Sequence, residues 1–559
     1  MKRFLAVAFA ALPVGLAVWA LAQPAQPRAL AAFVPPGALL YLEARDFASL
    51  VSDWNASPEK RLWLAGDNYQ VFSRSRLFWR LEQLQKEFAA AAGVSADLPL
   101  VEALAGRESA LALYDIGEMH FLYIGRLEAA RGIESALWRA SSKFESRASA
   151  GKTYFVRIDA ARGREAAFAA FDGWVLVSTR EELLAQALAL VAGGRAPALR
   201  DQAWYQSAVH GSAAQGDLRM ALNLPALART PHFRGYWIQR NAGELGEYSA
   251  GLVDLHRGVS EYREERKLVR AQAEAAPGSA GLGRLLSLAP ADAGLVRGWT
   301  APSVDDAVAL VARKTLAPTM AATSKREVEQ SVTEDDFDTR VDEAPPPNQE
   351  PELRAELLRK LFEAAKIEAA LVVESSRRDR DGLFVGHDAA VALLGAGDWK
   401  AEAVRAAIGD AVGGLYTVSG LGLAWQQRNV AGESFHETAG LARLALAARG
   451  RVLVVATSAQ ALVPMLARLA AGPAPDGPVY LAEYRHGREL DNFVRMMRMI
   501  DRVSLPEEEQ SPDAPREPMF FSENLGSLGR TLGRLDSVSV SVRDSGAAES
   551  QTVVYRLSR

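Results

Sequence analysis

The chain has 559 residues, 49% of them hydrophobic in type, a formal charge of -4 and no cysteine. This length exceeds what a single hydrophobic core supports and predicts two or more domains, and the near-neutral balance argues against the strongly basic face of a nucleic-acid-binding protein. Without cysteine there is no disulfide framework, no thiol nucleophile and no lipid-modified cysteine.

The first 22 residues have the features of an export leader. Two basic residues at positions 2 and 3 precede an apolar run over 4–19, and the ALA at 20–22 is a small-x-small cleavage motif. We expect a signal peptide over residues 1–22, cleavage after Ala22, and a periplasmic or secreted protein. The alternative is an inner-membrane anchor formed by residues 4–22, whose length approaches the ~20 residues that span a bilayer.

The helix predicted from SRSRLFWRLEQLQKEFAAAAG, which begins at Ser73, is amphipathic. Its Leu77, Leu81, Leu84 and Phe88 make one apolar stripe. The spacing predicts a helix that packs on the protein core. Its basic residues and tryptophan leave open the alternative of a helix on a membrane surface.

A strand-helix pattern occurs twice in the chain, at an offset of 278 residues. Residues 175–197 and 453–475 are identical at nine of 23 positions. Among these, Thr179 and Thr457 each stand three residues before Glu or Gln, a capping-box pattern that predicts two threonine N-caps. Leu188 and Leu466 occupy matching places in the apolar stripe, and we expect both to be buried under a sheet.

Weaker matches extend this repeat toward the N-terminal side. GRESALAL from Gly106 aligns with GHDAAVAL from Gly386, and GKTYF from Gly151 aligns with GESFH from Gly432. The offsets differ by a few residues, as loop-length changes between two copies would produce.

The two halves also begin and end alike. Each starts with a Pro-led strand followed by a helix opened by Asp46 or Ser303, and each ends in two strands joined by a polar turn. We infer a tandem duplication, with repeat 1 over 33–272, a linker over 273–285 and repeat 2 over 286–559. Two unrelated domains that share a common motif are the alternative.

Short glycine turns separate the predicted strands within a repeat, for example at Gly117, Gly163 and Gly173. Strands joined in this way are antiparallel, since parallel neighbours need a long crossover. The sequence therefore predicts an α+β protein made of two tandem similar units, each an antiparallel sheet with helices packed on one face.

Two further segments of repeat 2 have unusual composition. An insertion at about 324–352 is acidic and proline-rich, with few apolar residues to offset the entropy of ordering, which predicts a disordered surface loop. NFVRMMRMIDRV, which begins at Asn492, is a methionine-rich helix. Methionine is typical both of core gap-filling and of adaptable binding surfaces.

Signatures of catalysis are absent from the sequence apart from one short match. Ser57 and Lys60 fit S-x-x-K, a pattern of envelope acyl-transfer enzymes, but its S-D-N and K-T-G companions do not occur. The seven histidines, at 120, 210, 232, 256, 387, 436 and 486, show no metal-ligand spacing. We predict no catalytic, metal or cofactor residues.

The segment FVPPGALLYLEARDFASLV, which begins at Phe33, resembles a group of exported bacterial proteins that carry a domain of unknown function. The resemblance is strongest over 33–85 and continues more loosely to about residue 270. It implies export and an α+β fold, and it implies no catalytic residues.

The sequence favours a non-enzymatic envelope protein that binds or scaffolds, with a cleft between its two lobes as the expected site. Its partner would be an unidentified envelope protein or ligand, with no nucleic acid, and with membrane contact only through an uncleaved N-terminal segment. The alternative is an envelope hydrolase or other enzyme whose site is assembled from distant residues.

Overall fold

A computed structural model describes residues 29–127, 134–212, 214–231, 245–276, 281–316, 353–378, 385–412, 424–438, 444–469, 477–504 and 518–558. The predicted leader (1–22) and acidic insertion (about 324–352) lie outside these ranges. The chain forms two compact units. The first unit comprises residues 1–53 and 80–246, and the second comprises 54–79 and 247–559.

The first unit contains one antiparallel sheet. Its strands are β1 (Leu40–Ala44), β2 (Ser109–Asp115), β3 (His120–Arg126), β4 (Glu145–Ser149), β5 (Lys152–Asp159), β6 (Arg164–Phe171), β7 (Trp174–Ser178) and β8 (Leu218–Leu222). Their pairing gives the order β8-β1-β2-β3-β7-β6-β5-β4.

The second unit also has an antiparallel sheet. Its strands are β9 (Tyr248–Arg257), β10 (Glu261–Arg270), β11 (Leu295–Thr300), β12 (Ile367–Arg378), β13 (Val385–Gly395), β14 (Trp425–Val430), β15 (Glu433–Thr438), β16 (Ala445–Arg449), β17 (Val452–Ala456), β18 (Tyr480–Tyr484), β19 (Leu535–Asp544) and β20 (Ala548–Leu557). They pair in the order β9-β10-β20-β19-β18-β11-β12-β13-β17-β16-β15-β14.

The helices of the described residues are numbered along the chain. They are α1 (Phe47–Ala56), α2 (Pro58–Leu64), α3 (Asp67–Ser73), α4 (Arg76–Ala92), α5 (Leu98–Leu104), α6 (Ala136–Arg139), α7 (Glu181–Val191), α8 (Ala203–Val209), α9 (Leu224–Arg229), α10 (Leu282–Leu286), α11 (Val304–Val311), α12 (Ala355–Ala365), α13 (Ala401–Val412), α14 (Ala459–Leu466), α15 (His486–Ser504) and α16 (Gly526–Thr531). Short π-helical segments span Ala312–Leu316 and Phe520–Leu525. The protein is α+β, as predicted.

The two units share a strand order. The run β18-β11-β12-β13-β17-β16-β15-β14 of the second unit repeats β8-β1-β2-β3-β7-β6-β5-β4 of the first, one strand for one strand. The matched helices α7 and α14 follow β7 and β17. Their Leu188 and Leu466 are 0% and 2% exposed, as the sequence predicts for two similar units.

One predicted alignment is wrong. The order matches β13 to β3 and β12 to β2, whereas the alignment of Gly106 with Gly386 placed β2 against β13. Both strands carry alternating small and apolar residues after a glycine, so local sequence similarity selected the wrong member of the hairpin.

The capping role predicted for the two threonines is also wrong. The Phe121 amide donates to Thr179 Oγ1 at 2.9 Å, and this hydroxyl donates to the Met119 carbonyl at 3.0 Å. Thr457 Oγ1 likewise bonds the amide and carbonyl of Ala389, at 3.0 and 3.3 Å. Each threonine hydroxyl thus extends the strand ladder at its end and does not cap the helix that follows.

The helix caps are supplied by neighbouring residues or not at all. Ser458 caps α14, with its hydroxyl accepting from the Ala461 amide at 3.2 Å, whereas Arg180 begins α7 without a side-chain cap. The Ser303 prediction holds, because its hydroxyl accepts from the Asp306 amide at 3.0 Å at the start of α11.

Helices lie on both faces of the second sheet, one layer more than the single layer expected. Along β17, Leu453 and Val455 belong to a core with α11, α12 and α13, whereas Val452 and Val454 belong to a core with α10 and α14. Successive strand residues point to opposite faces, so every residue of this strand is buried.

The compact units differ from the predicted repeats at their edges. The hairpin β9-β10 pairs through β10 with β20 and belongs to the second unit. There Arg270 Nη2 bonds Asp544 and Glu549 at 2.6 and 2.8 Å.

The predicted linker 273–285 contains most of α10, whose Leu282 and Leu285 are fully buried. Residues 54–79 also belong to the second unit, where Asn68 bonds Asn524 and Ser527 at 2.7 and 2.8 Å.

Candidate binding site in the first unit

A partly open cavity of about 380 Å³ lies in the first unit, between α4, α5 and one face of β2, β3 and β7. Its walls are mainly apolar side chains. They include Leu84, Phe88, Leu104, Leu111, Phe121 and Val177. We call this space the first-unit cavity.

The apolar stripe predicted for α4 forms the outer wall. Leu81, Leu84 and Phe88 line the first-unit cavity, and the side chain of Leu77 lies outside what the structure describes. Leu81 remains 48% exposed. The stripe therefore faces the sheet, as predicted, with the first-unit cavity between part of the stripe and the sheet.

Tyr123 forms part of the inner wall and is fixed by hydrogen bonds. Its hydroxyl donates to the Leu104 carbonyl at 2.8 Å and lies 2.9 Å from Ser109 Oγ. A Cβ at Gly125 would lie 2.8 Å from this hydroxyl, so glycine leaves room for the ring. Burial raises the pKa of Tyr123. It keeps the phenol neutral.

Arg164 closes one end of the first-unit cavity. Its guanidinium bonds Glu87 on α4 at 2.7 Å, the Glu118 carboxylate at 2.6 Å and the Glu118 carbonyl at 2.9 Å. The side chains of Arg164 and Glu87 are only 19% and 21% exposed. Charge-assisted hydrogen bonds of this length hold α4 to the sheet and to the β2-β3 turn.

Arg180 and His120 lie at the same charged end. Arg180 makes two longer ion pairs, at 3.6 Å to Glu165 and 3.5 Å to Glu182. Burial, followed by the charge of Arg180, lowers the pKa of His120. The imidazole is therefore neutral near pH 7, and it can donate or accept one hydrogen bond.

The described residues show neither a metal centre nor a helix able to span the bilayer. No group of three or more His, Asp or Glu side chains among them could hold a metal ion, and none of their helices is long and apolar enough to cross a membrane. The chemistry available in the first-unit cavity is apolar contact plus a charged, hydrogen-bonding end. This combination is typical of a small-molecule binding pocket.

The histidines and the S-x-x-K residues named from the sequence lie in separate parts of the chain. His120 lines the first-unit cavity, and His232 lies outside the described residues. Ser57 of the S-x-x-K match caps α2, accepting from the Lys60 amide at 3.1 Å, and Lys60 Nζ bonds Asn55 at 2.5 Å. Nothing in the sequence marks Arg164 and Arg180, because single arginines near strand ends carry no motif.

A polar cluster in the second unit lies beside a second cavity of about 400 Å³. Glu489 on α15 accepts hydrogen bonds from the hydroxyl and amide of Ser376, and Asn492 donates to the same hydroxyl at 2.8 Å. Arg488 pairs with Glu489. These groups satisfy one another and fix α15 to β12.

Comparison with known proteins identifies no family for this chain. No family model matches it, and no curated protein matches it. The Treponema protein TP0453 is similar in two crystal forms. Form I has 14% identity and a TM-score of 0.22 over 45% of this chain and 81% of that one. Form IV has 12% identity and a TM-score of 0.21 over 43% and 79%. TM-scores this low carry no argument about fold or function.

Proposed function

We propose that this is an exported protein that binds a small apolar or amphiphilic molecule in the first-unit cavity, without catalysing a reaction. The observation that supports the proposal is the cavity itself, because a partly open, mainly apolar space of about 380 Å³ with a few polar groups at one end is the usual form of a small-molecule site. This volume suits a small molecule and is at the lower end for ligand pockets. The cleft between the lobes stays a prediction.

The test is fluorescence titration of the purified protein with N-phenyl-1-naphthylamine, a neutral apolar probe whose emission rises in apolar surroundings. We expect saturable binding near one probe per chain. Leu84→Trp places an indole in the first-unit cavity, where Leu84 is part of the wall, and should strongly weaken binding. Leu62→Trp is the matched control, because Leu62 is 51% exposed and does not line the cavity.

Equal probe binding by Leu84→Trp and the unaltered protein would refute this location for the site. Circular dichroism of both variants keeps loss of binding distinct from loss of folding.

Export is a second part of the proposal and rests on the sequence of residues 1–22. A mature chain that begins at Gln23 in the periplasmic or culture fraction would support it. A chain that retains Met1 in the membrane pellet would instead support the anchor over residues 4–22.

The alternative function, an envelope hydrolase, has one specific observation in its favour. The Ser376 hydroxyl donates to Glu489 beside the second cavity, which is the spatial relation of a nucleophile and its base. Labelling by a fluorophosphonate probe that Ser376→Ala abolishes would favour the enzyme. No labelling would leave the pair with the packing role described above.

A further inference from the structure

We propose that the ligand of the first-unit cavity is an apolar carboxylic acid, with its apolar part between α4 and the sheet and its carboxylate on Arg180. This inference rests on the proposed function, because it assigns a chemical class to the molecule bound there. Three features of the charged end carry it.

The first feature is the difference between the two arginines that line this end. Arg164 is held by three contacts of 2.6 to 2.9 Å, within ordinary hydrogen-bond length. Both ion pairs of Arg180 are 3.5 Å or longer. A ligand oxygen can therefore bond Arg180 without breaking a short contact, and a guanidinium matches a carboxylate through two parallel N–H donors.

The second feature is the helix that begins beside Arg180. α7 has 11 residues and starts at Glu181, with no side-chain cap from Arg180. The Glu181 amide donates a hydrogen bond to the Glu165 carboxylate at 2.9 Å. This bond offsets part of the negative charge of Glu165. The positive end of the helix dipole lies beside Arg180, and the carboxylates of Glu181 and Glu182 in the first turn offset part of it.

The third feature limits the charge that the ligand can bring. Three carboxylates, those of Glu87, Glu118 and Glu165, line the same end as the two guanidinium groups and the neutral imidazole. A second negative charge on the ligand would meet this excess of acid. A singly charged carboxylate fits the balance better than a doubly charged phosphate.

The experiment is displacement of N-phenyl-1-naphthylamine by three ligands of equal chain length, namely dodecanoate, dodecanol and dodecyl phosphate, each below its micelle concentration at pH 7.5. We expect dodecanoate to bind about tenfold more tightly than the other two, a ratio of about 1.4 kcal/mol that one charge-assisted hydrogen bond can supply. Arg180→Gln should remove that advantage and leave dodecanol unchanged. Arg200→Gln is the control, because Arg200 is exposed and outside the first-unit cavity.

The outcomes separate the two levels of the proposal. If the neutral probe binds but dodecanoate is no better than dodecanol, or Arg180→Gln has no effect, the carboxylate assignment is overturned and the pocket remains. Tighter binding of dodecyl phosphate would also overturn it. If neither the probe nor any of the three ligands binds, the proposed function itself fails.

Discussion

The corresponding faces of the two sheets differ: the face is filled in the second unit and only partly filled in the first, where Val177 belongs to a core cluster and also borders the first-unit cavity. In the second unit, α11, α12 and α13 cover Val391 and Val455 with a continuous core that includes Phe362 and Trp399. In the first, the corresponding Tyr123 and Val177 face the first-unit cavity under α4 and α5. The strand order is therefore a common framework, and the covering helices decide whether a unit has a filled core or a pocket.

The largest effect should come from truncating a large side chain in each place. Phe362→Ala removes a fully buried ring and should cost about 3–5 kcal/mol. Phe88→Ala should cost less, about 1–2 kcal/mol, because its ring packs on Phe121 but is only partly buried and borders the first-unit cavity. Hydrogen exchange of β13 and β3 amides measures the two units separately. Equal costs would show that the cavity is closed in solution.

The opposite faces of the two sheets should behave alike. Leu188→Ala and Leu466→Ala should each cost about 2–5 kcal/mol, because both leucines are buried under matched helices. Leu62→Ala, on an exposed helix, should change stability by less than about 0.5 kcal/mol. A value below 1 kcal/mol for one leucine alone would break the equivalence of α7 and α14.

Added volume should separate the packed face from the open one. Ile408→Trp overfills the second unit's core and should cost about 1–3 kcal/mol or more. Leu84→Trp enters the first-unit cavity and should stay within about 1 kcal/mol of the unaltered protein. Urea denaturation measures both. Destabilisation by Leu84→Trp as large as that by Ile408→Trp would mean that the cavity lacks room for the indole.

The paired threonines give a smaller test of the shared framework. Thr179→Val and Thr457→Val each remove a hydroxyl that bonds a strand end, and each should cost about 1 kcal/mol. Ser458→Ala should cost a similar amount by loss of a helix cap. If the exchange protection of β3 and β13 stays unchanged in the valine variants, the threonine bonds contribute nothing to the ladders.

The smallest effect concerns pH. Burial is the main cause that lowers the pKa of both His120 and His436. At His120 the charges of Arg180 and Arg164 lower the pKa further, and those of Asp115 and Glu118 raise it. At His436 the charges of Arg405 and Arg449 lower it further. When the pH drops below the ordinary histidine pKa near 6.5, the unfolded chain binds protons that the folded chain does not bind. The free energy of unfolding therefore decreases as the pH is lowered, until the pKa of the folded state is reached.

His120→Gln and His436→Gln should therefore each flatten the decline in unfolding free energy between pH 7 and pH 5.5. Thermal unfolding at several pH values checks this. His210→Gln, outside both the first-unit cavity and the buried cores, is the control. An unchanged slope in both test variants would contradict the lowered pKa of these half-buried histidines.

Periodicity and glycine turns were sufficient to predict the α+β class, the antiparallel pairing and the buried leucines. The role of Thr179 could not be predicted, because a capping box and a strand-end hydroxyl share the same local sequence, and only the position of Phe121 distinguishes them. The first-unit cavity was also beyond prediction. The apolar sequence pattern of α4 is the same whether its leucines touch the sheet or border a cavity. Arg164 and Arg180 reach the first-unit cavity only through the tertiary fold.

The ladder between β10 and β20 has a consequence for how the chain folds. It pairs Glu261 with Arg556 and Val269 with Ala548, partners separated by about half of the sequence. During synthesis β10 emerges long before β20, so its edge stays unpaired until the last strand is made. Contacts of such high sequence separation slow folding, and exposed strand edges promote aggregation. We therefore expect refolding on the slow side for this size and a need for holding chaperones before the sheet is complete.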